Sequence, residues 1–412
     1  EVRSSMSLNR TQPARTALVL ASSSFFAVCA VHSTFAQAGA FCDVTSTHLP
    51  FGVLNGLSMD AAQADLDADG DIDLIIANEF GPNILLLNDG SGHFDNVSRR
   101  RIPQVDHDSE DIAIADFDGD GDPDIVVVSE DDLIDEFYIN DGFGAFGGAG
   151  SRLPVRARTN GVTAADIDQD GDIDLILANN GQNTALINVG TGHFVDDTLK
   201  RLPLVNDISQ DIDAGDVDGD GDLDLIVANE GRNRLLINDG HGRFADESDA
   251  RLPRAVGRRE TREADFGDVD GDGDLDILTA NVRFFVDDAV LENRLLINKG
   301  GGVFSDETRR RLPQRQEITV DADFVDFDGD GDLDIVTATT NNLRTGGSFR
   351  LFVNNGDGTF KDNTEKLFPR TAVGVGFDIE AGDFDGDGRV DFYFAVRGGP
   401  DLLLLQLGPS CP

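Results

Sequence analysis

The chain has 412 residues, 40% of them hydrophobic, with 77 Asp and Glu against 33 Lys and Arg and a formal charge of −44. Such a balance repels nucleic acid and anionic lipid and favours divalent cations or cationic partners. The apolar fraction and the periodic spacing of the acids argue against a disordered polyelectrolyte.

In chain order, the first feature is a targeting segment. Arg10 and Arg15 precede an apolar run from Ala17 to Val31, broken by Ser22, Ser23 and Ser24, and Ala36-Gln37-Ala38 offers a small-residue cleavage site. Residues 1–38 therefore read as a signal peptide, with 1–5 an upstream extension before Met6. The run is too short and too interrupted for a comfortable membrane span. The mature chain, residues 39–412, is expected to be secreted, extracellular or periplasmic, with no membrane span. Export permits a disulfide between its two cysteines, Cys42 and Cys411.

From residue 65 onward one pattern recurs seven times, Asp-x-Asp-x-Asp-Gly-x-x-Asp, beginning at Asp65, Asp116, Asp166, Asp216, Asp268, Asp326 and Asp383. A period near 50 residues marks a repeat architecture. An alternating small and apolar run precedes each copy, such as Asp111-Ile112-Ala113-Ile114-Ala115, and a β-branched run follows it, such as Ile125-Val126-Val127-Val128. A second apolar run then ends in Asn-x-Gly-x-Gly-x-Phe, as in Leu236-Ile237-Asn238-Asp239-Gly240-His241-Gly242-Arg243-Phe244, where the glycines fit a tight hairpin. A Leu-Pro corner or its like closes each unit, for example Leu202-Pro203 and Phe368-Pro369. This gives four short strands per unit and no helical periodicity. Radial four-stranded units make a seven-bladed, all-β propeller with antiparallel blades.

The chain ends predict how the ring closes. Phe41-Cys42-Asp43-Val44-Thr45 matches the fourth-strand segment Phe194-Val195-Asp196-Asp197-Thr198, while the last unit stops after its third run, Leu402-Leu403-Leu404-Leu405. The N-terminal strand should complete the last blade, which protects the seam and sets Cys42 beside Cys411.

The Asp loops carry the chemistry. Alternate carboxylates on a tight turn converge on one point, Gly at position 6 permits the turn, and oxygen-only ligands suit Ca²⁺ rather than Zn²⁺ or copper. In the first loop the ligands are the side chains of Asp65, Asp67, Asp69 and Asp73 with the carbonyl of Asp71. In the same order, positions 1, 3, 5, 7 and 9 are Asp116, Asp118, Asp120, Asp122 and Asp124 in the second loop, and Asp166, Asp168, Asp170, Asp172 and Asp174 in the third. The fourth has Asp216, Asp218, Asp220, Asp222 and Asp224, and the fifth Asp268, Asp270, Asp272, Asp274 and Asp276. The sixth has Asp326, Asp328, Asp330, Asp332 and Asp334, and the seventh Asp383, Asp385, Asp387, Arg389 and Asp391. Arg389 leaves its carbonyl available at lower local negative charge. An EF-hand is excluded because position 12, which would have to be Glu, is Ile76, Val127, Leu177, Val227, Thr279, Thr337 or Phe394. About seven Ca²⁺ are expected.

On these Asp quartets and this period the chain resembles the FG-GAP/VCBS repeat family, related to the propeller of integrin α subunits. The resemblance implies calcium in the turn between the first and second strands of each blade, on one face. The Phe-Gly and Gly-Ala-Pro words of the family are mostly absent, with Gly147-Gly148-Ala149 a remnant. Calcium loops in every blade resemble bacterial secreted members more than integrins.

Three further features bear on function. Five residues before each loop the position is acidic in six repeats, Asp60, Asp111, Asp211, Glu263, Asp321 and Asp378, with Gly161 the exception; three before, Asp213, Asp265, Asp323 and Glu380 are acidic. Alternation puts both positions on one side of the innermost strand. They read either as acceptors for backbone at the blade seams or as a cation site in the central channel. The runs Arg99-Arg100-Arg101, Arg258-Arg259 and Arg309-Arg310-Arg311 read as a solvated rim. Insertions at Arg283-Phe284-Phe285-Val286-Asp287-Asp288 and Thr340-Asn341-Asn342-Leu343-Arg344 break the repeat, where function tends to lie.

No nucleophile–base arrangement or phosphate loop stands out, so the expected function is a non-catalytic, monomeric binding or adhesion module for a protein or glycan ligand. The alternative is a carbohydrate-acting propeller, a lectin or polysaccharide lyase, which the lack of Trp and the presence of only Tyr138 and Tyr393 weaken.

Overall fold

The computed structural model describes residues 40–50, 56–131, 133–342, 346–408 and 411. The signal-peptide assignment, and Leu343 and Arg344 of the second insertion, lie outside these residues.

The chain forms successive four-stranded antiparallel units, each a meander. Unit two is representative: His107–Ala115, Asp124–Ser129, Glu136–Asn140 and Phe146–Gly148 pair in sequence order. The first strands of the other units are Ser58–Ala64, Thr159–Ala165, Asp207–Gly215, Thr261–Gly267, Ile318–Val325 and Gly376–Gly382. The last unit has three strands of its own. Its outer strand is Phe41–Asp43, whose Cys42 lies opposite Leu405. The Cys42–Cys411 disulfide joins the chain ends at this seam, as expected from the matching segments.

Strand alternation explains how the sheets stack. Along the second strand of unit two, Ile125 and Val127 pack toward Ile75 and Leu85 of unit one, while Val126 and Val128 pack toward Leu175 and Leu177 of unit three. Both faces are covered, so the strand is apolar throughout rather than alternating. Each such side chain, wholly buried, contributes roughly 1.5–3 kcal/mol. The same apolar interface recurs between each unit and the next, and the last unit packs on the first through Phe384, Tyr393 and Leu403 against Ala61, Leu74 and Ile76. The first strands are neighbours in the same cyclic order.

Each unit also carries a feature that periodicity does not disclose. A single helical turn follows the outer strand, for example Thr198–Arg201, Ser248–Arg251 and Thr308–Arg311. Asp196, Asp246 and Asp306 start these turns by accepting the backbone N–H of Thr198, Ser248 and Thr308, an Asx turn. The following Leu-Pro pair stops them, because a residue before Pro avoids helical ψ. Unit two has Gly148-Ala149-Gly150 there and makes only a three-residue 3₁₀ turn, Gly150–Arg152.

Candidate metal loops and the central acidic ring

The Asp loops connect the first and second strands of each unit, all at the same end of the sheets. Within a loop, position 1 shapes the turn: Asp65 accepts N–H groups from Asp69 and Gly70 at 3.1 Å each. Position 5 accepts the position-7 N–H in all seven loops, from Asp69 with Asp71 to Asp387 with Arg389. Position 9 is buried and locks the loop to the sheet. Asp73 accepts from Leu66 at 3.0 Å and from Asn88 at 2.8 Å. Without a cation, burial pushes Asp73, Asp124, Asp224 and Asp276 up to about 7, and Asp174, Asp334 and Asp391 up to about 8.

Carboxylate oxygens of positions 1, 3 and 9 come within 4.8 Å of one another, as in Asp65, Asp67 and Asp73, or Asp268, Asp270 and Asp276. The most informative atom is Oδ1 of position 3. In Asp67, Asp118, Asp168, Asp218, Asp270 and Asp328 it is buried and has no hydrogen-bond partner. Leaving one buried acceptor unpaired costs about 1–3 kcal/mol, more when charged; each of the six equivalent sites could hold a cation that removes this cost. The donor set is oxygen throughout, which fits Ca²⁺. The position-7 side chain of Asp71 packs against Gly90 of the hairpin.

The arginine runs are not simply a solvated rim. Arg99 and Arg100 are exposed, and so are Arg309 and Arg310, but the last arginine of the corner turns inward. Arg311 is 4% exposed and pairs with position-3 Asp270 at 2.7 Å, while donating to the carbonyl of Asp357 in the next unit at 2.8 Å. Arg201 and Arg251 bind Asp168 and Asp218 at 2.8 and 3.1 Å. Each uses Oδ2 and leaves the buried Oδ1 unpaired. Sequence reading missed this because the partner lies some 33 to 41 residues away.

A second network joins the units beside the loops. The hairpin Asn of each unit donates to the loop of its own unit and to the loop of the preceding one: Asn238 reaches the carbonyls of Leu223 and Ile167, both at 3.0 Å. Its Oδ1 accepts Gly240 and Gly242 N–H groups. In the last unit Gln406 takes this place.

Five of the ten acids of the innermost strands act as seam acceptors. Asp111 accepts the N–H of Val162, Asp211 that of Ala264, Asp213 that of Phe266 and Asp265 that of Phe324, each in the next unit. Asp378 accepts from Ala61 in the first unit, at 3.0 Å. Gly161 breaks the series because a Cβ there would lie 2.8 Å from the carbonyl of Gln210. Burial, then neighbouring carboxylates, holds Asp60, Asp211, Glu263, Asp321, Asp323 and Glu380 well above the usual range.

Comparison with known proteins agrees with this architecture. The FG-GAP-like repeat profile matches residues 65–127, 166–227, 216–279, 284–337 and 338–394. No curated protein matches the sequence at a significant level. Among solved structures, the BBS1N chain crystallised with ARL6DN is similar at TM-score 0.57 and 11% identity, covering 91% of this chain and 99% of that one. The extracellular domain of the putative hybrid two-component system BT3049 from B. thetaiotaomicron is similar at TM-score 0.53 and 14% identity, covering 90% of this chain and 42% of that one. An Agrocybe aegerita protein that recognises non-reducing terminal N-acetylglucosamine is similar at TM-score 0.48 and 16% identity, covering 83% and 87%. The likenesses to the BBS1N complex and to the BT3049 domain concern the β-propeller fold alone. With the family profile matching well over half of the residues, at the Asp loops and the strands that flank them, the chain belongs to the FG-GAP-like repeat family.

Proposed function

We propose that the chain is a seven-bladed β-propeller that holds one Ca²⁺ in each Asp loop and serves as an exported, non-catalytic binding module. The observation that carries the calcium reading is the buried, unpartnered Oδ1 of the position-3 aspartate in six loops. In this reading positions 1, 3, 5 and 9 supply side chains and position 7 its carbonyl. Calcium neutralises acids that otherwise repel at short range and stabilises the fold by binding only the native state. The blade count rests on the cyclic order of the apolar interfaces and on the outer strand supplied by Phe41–Asp43. Export is supported by the Cys42–Cys411 disulfide, a bond that persists in oxidising compartments.

An Asp268→Asn/Asp270→Asn variant tests the loop assignment. Equilibrium dialysis against calcium should count one ion fewer than in the unaltered protein, with the other loops still filling. An unchanged count would sink the assignment.

A further inference from the structure

The groove between units four and five departs from the repeat. Its volume is about 530 Å³, whereas the equivalent groove between units five and six holds about 30 Å³. Two sequence changes open it. The connector from Pro253 to Thr261 is two residues longer than that from Pro313 to Thr319, and unit five carries the insertion after Asn281. Buried Glu260 anchors that insertion by accepting the N–H groups of Phe284, Phe285 and Val286 at 2.8 to 3.0 Å. Gly257 lets the connector pass beneath it: φ is +85°, and a Cβ would sit 2.7 Å from Val290 Cγ2.

In a protein of charge −44 this groove is basic. Five arginines line it, Arg232, Arg254, Arg258, Arg259 and Arg294, against Glu230 and Asp249, a net of +3. Arg232 is spent on Asp249 at 2.7 Å and Arg294 on Asp306 at 3.0 Å. Arg254 and Arg258 pair with no acid among the described residues. Arg259 is 6% exposed; its Nη1 serves the carbonyls of Val290 and Glu292, while its Nε is buried without a partner. Burial and the adjacent Arg294 guanidinium lower its pKa, so an anion here would relieve it.

We infer that the groove between units four and five binds a small anionic ligand, of the size of one or two sugar residues and carrying carboxylate or sulfate, held by Arg254 and Arg258 beside the buried charge of Arg259. Guanidinium groups match the planar oxygen pairs of such anions, and pockets of this volume suit small ligands. The inference rests on the binding-module reading and names its ligand class, but it does not depend on the Asp loops.

The test is calorimetric titration of the calcium-loaded, unreduced protein with sodium sulfate and, separately, sodium glucuronate, against sodium chloride at equal ionic strength. Sulfate or glucuronate should saturate one site per chain while chloride does not, and whichever binds more tightly separates the sulfated from the carboxylated source. Arg254→Gln/Arg258→Gln, both exposed positions, should weaken binding at least tenfold with the calcium count unchanged; Arg259→Gln should abolish it. Absence of saturation by either anion, or a double variant that binds as the unaltered protein does, would overturn the site. A normal calcium count in the same samples would show that the loops stand even if this site falls.

Discussion

Asn88, in the hairpin of the first unit, donates its side-chain N–H to the carbonyl of Phe384 in the last at 2.8 Å, across 296 residues of sequence. The same side chain donates to Ile72 in its own loop at 3.0 Å. One amide thus ties the first Asp loop to the seventh, and it repeats the contact that Asn140 makes to Leu66 and Asn298 to Val217. The seam is held as the interior joints are, and the Asp loops form a hydrogen-bonded belt.

Asn238→Ala removes two such donations and leaves the carbonyls of Leu223 and Ile167 buried and unpaired. The expected cost is about 2–6 kcal/mol, from two buried acceptors at about 1–3 kcal/mol each. Denaturant unfolding in calcium buffer measures it. A loss below about 0.5 kcal/mol would mean that the belt is not a stabilising element.

Cys42 and Cys411 lie 369 residues apart, and their bridge closes a loop of nearly all the described chain. The double variant Cys42→Ser/Cys411→Ser should lose about 2–5 kcal/mol in calcium buffer. The loss should be local as well as global: amides of Phe41–Asp43 should exchange faster than those of the inner strands. Equal exchange and an unchanged midpoint would remove the disulfide from the account of the seam.

Acid should stabilise the chelator-treated protein. The inner acids hold protons more tightly when folded than when unfolded: burial places Asp111 at about 6 and Asp378 at about 7, and Asp211, Glu263 and Asp323 well above the ordinary range. Such groups contribute stability that is fully present below about pH 4 and is lost as pH rises through their folded values. The position-9 aspartates have the same sign. The melting temperature without calcium should therefore fall between pH 5.5 and pH 8. A flat or rising profile would show that these carboxylates are not buried as described.

The seventh loop should be the weak one. Arg389 stands where the other six loops have Asp, so this loop carries four acids rather than five; it also pairs with the position-5 Asp387 of its own loop and donates to the carbonyl of Gln406 at 2.6 Å. A calcium titration should resolve one weaker site, and Arg389→Asp should bring it into line with the rest. A titration unmoved by Arg389→Asp would contradict this.

Much of the architecture is legible in the sequence because it is written seven times. The Asp loops, the hairpins and the outer strand supplied by Phe41–Asp43 each follow from pattern matching within the chain. What pattern matching misses depends on distance in space. The hairpin Asn reads as a turn residue, yet it also spans two units. Arg311 reads as a rim charge, yet it pairs with a position-3 aspartate, and Arg201, which no pattern singles out, does the same. The one-turn helices are too short to carry a periodic signal. Asp111 and Asp211 leave two readings open until the N–H groups of Val162 and Ala264 are seen at their oxygens. The basic groove needs a longer connector and an insertion to meet, and neither alone predicts it.

The central claim is tested most directly by calcium titration of the chelator-treated protein, following stoichiometry and melting temperature together. The account predicts about seven ions per chain, one weaker than the others, and a large rise in melting temperature as they bind. Few ions and no stabilisation would mean that the Asp loops are acidic turns, and the calcium reading would fall.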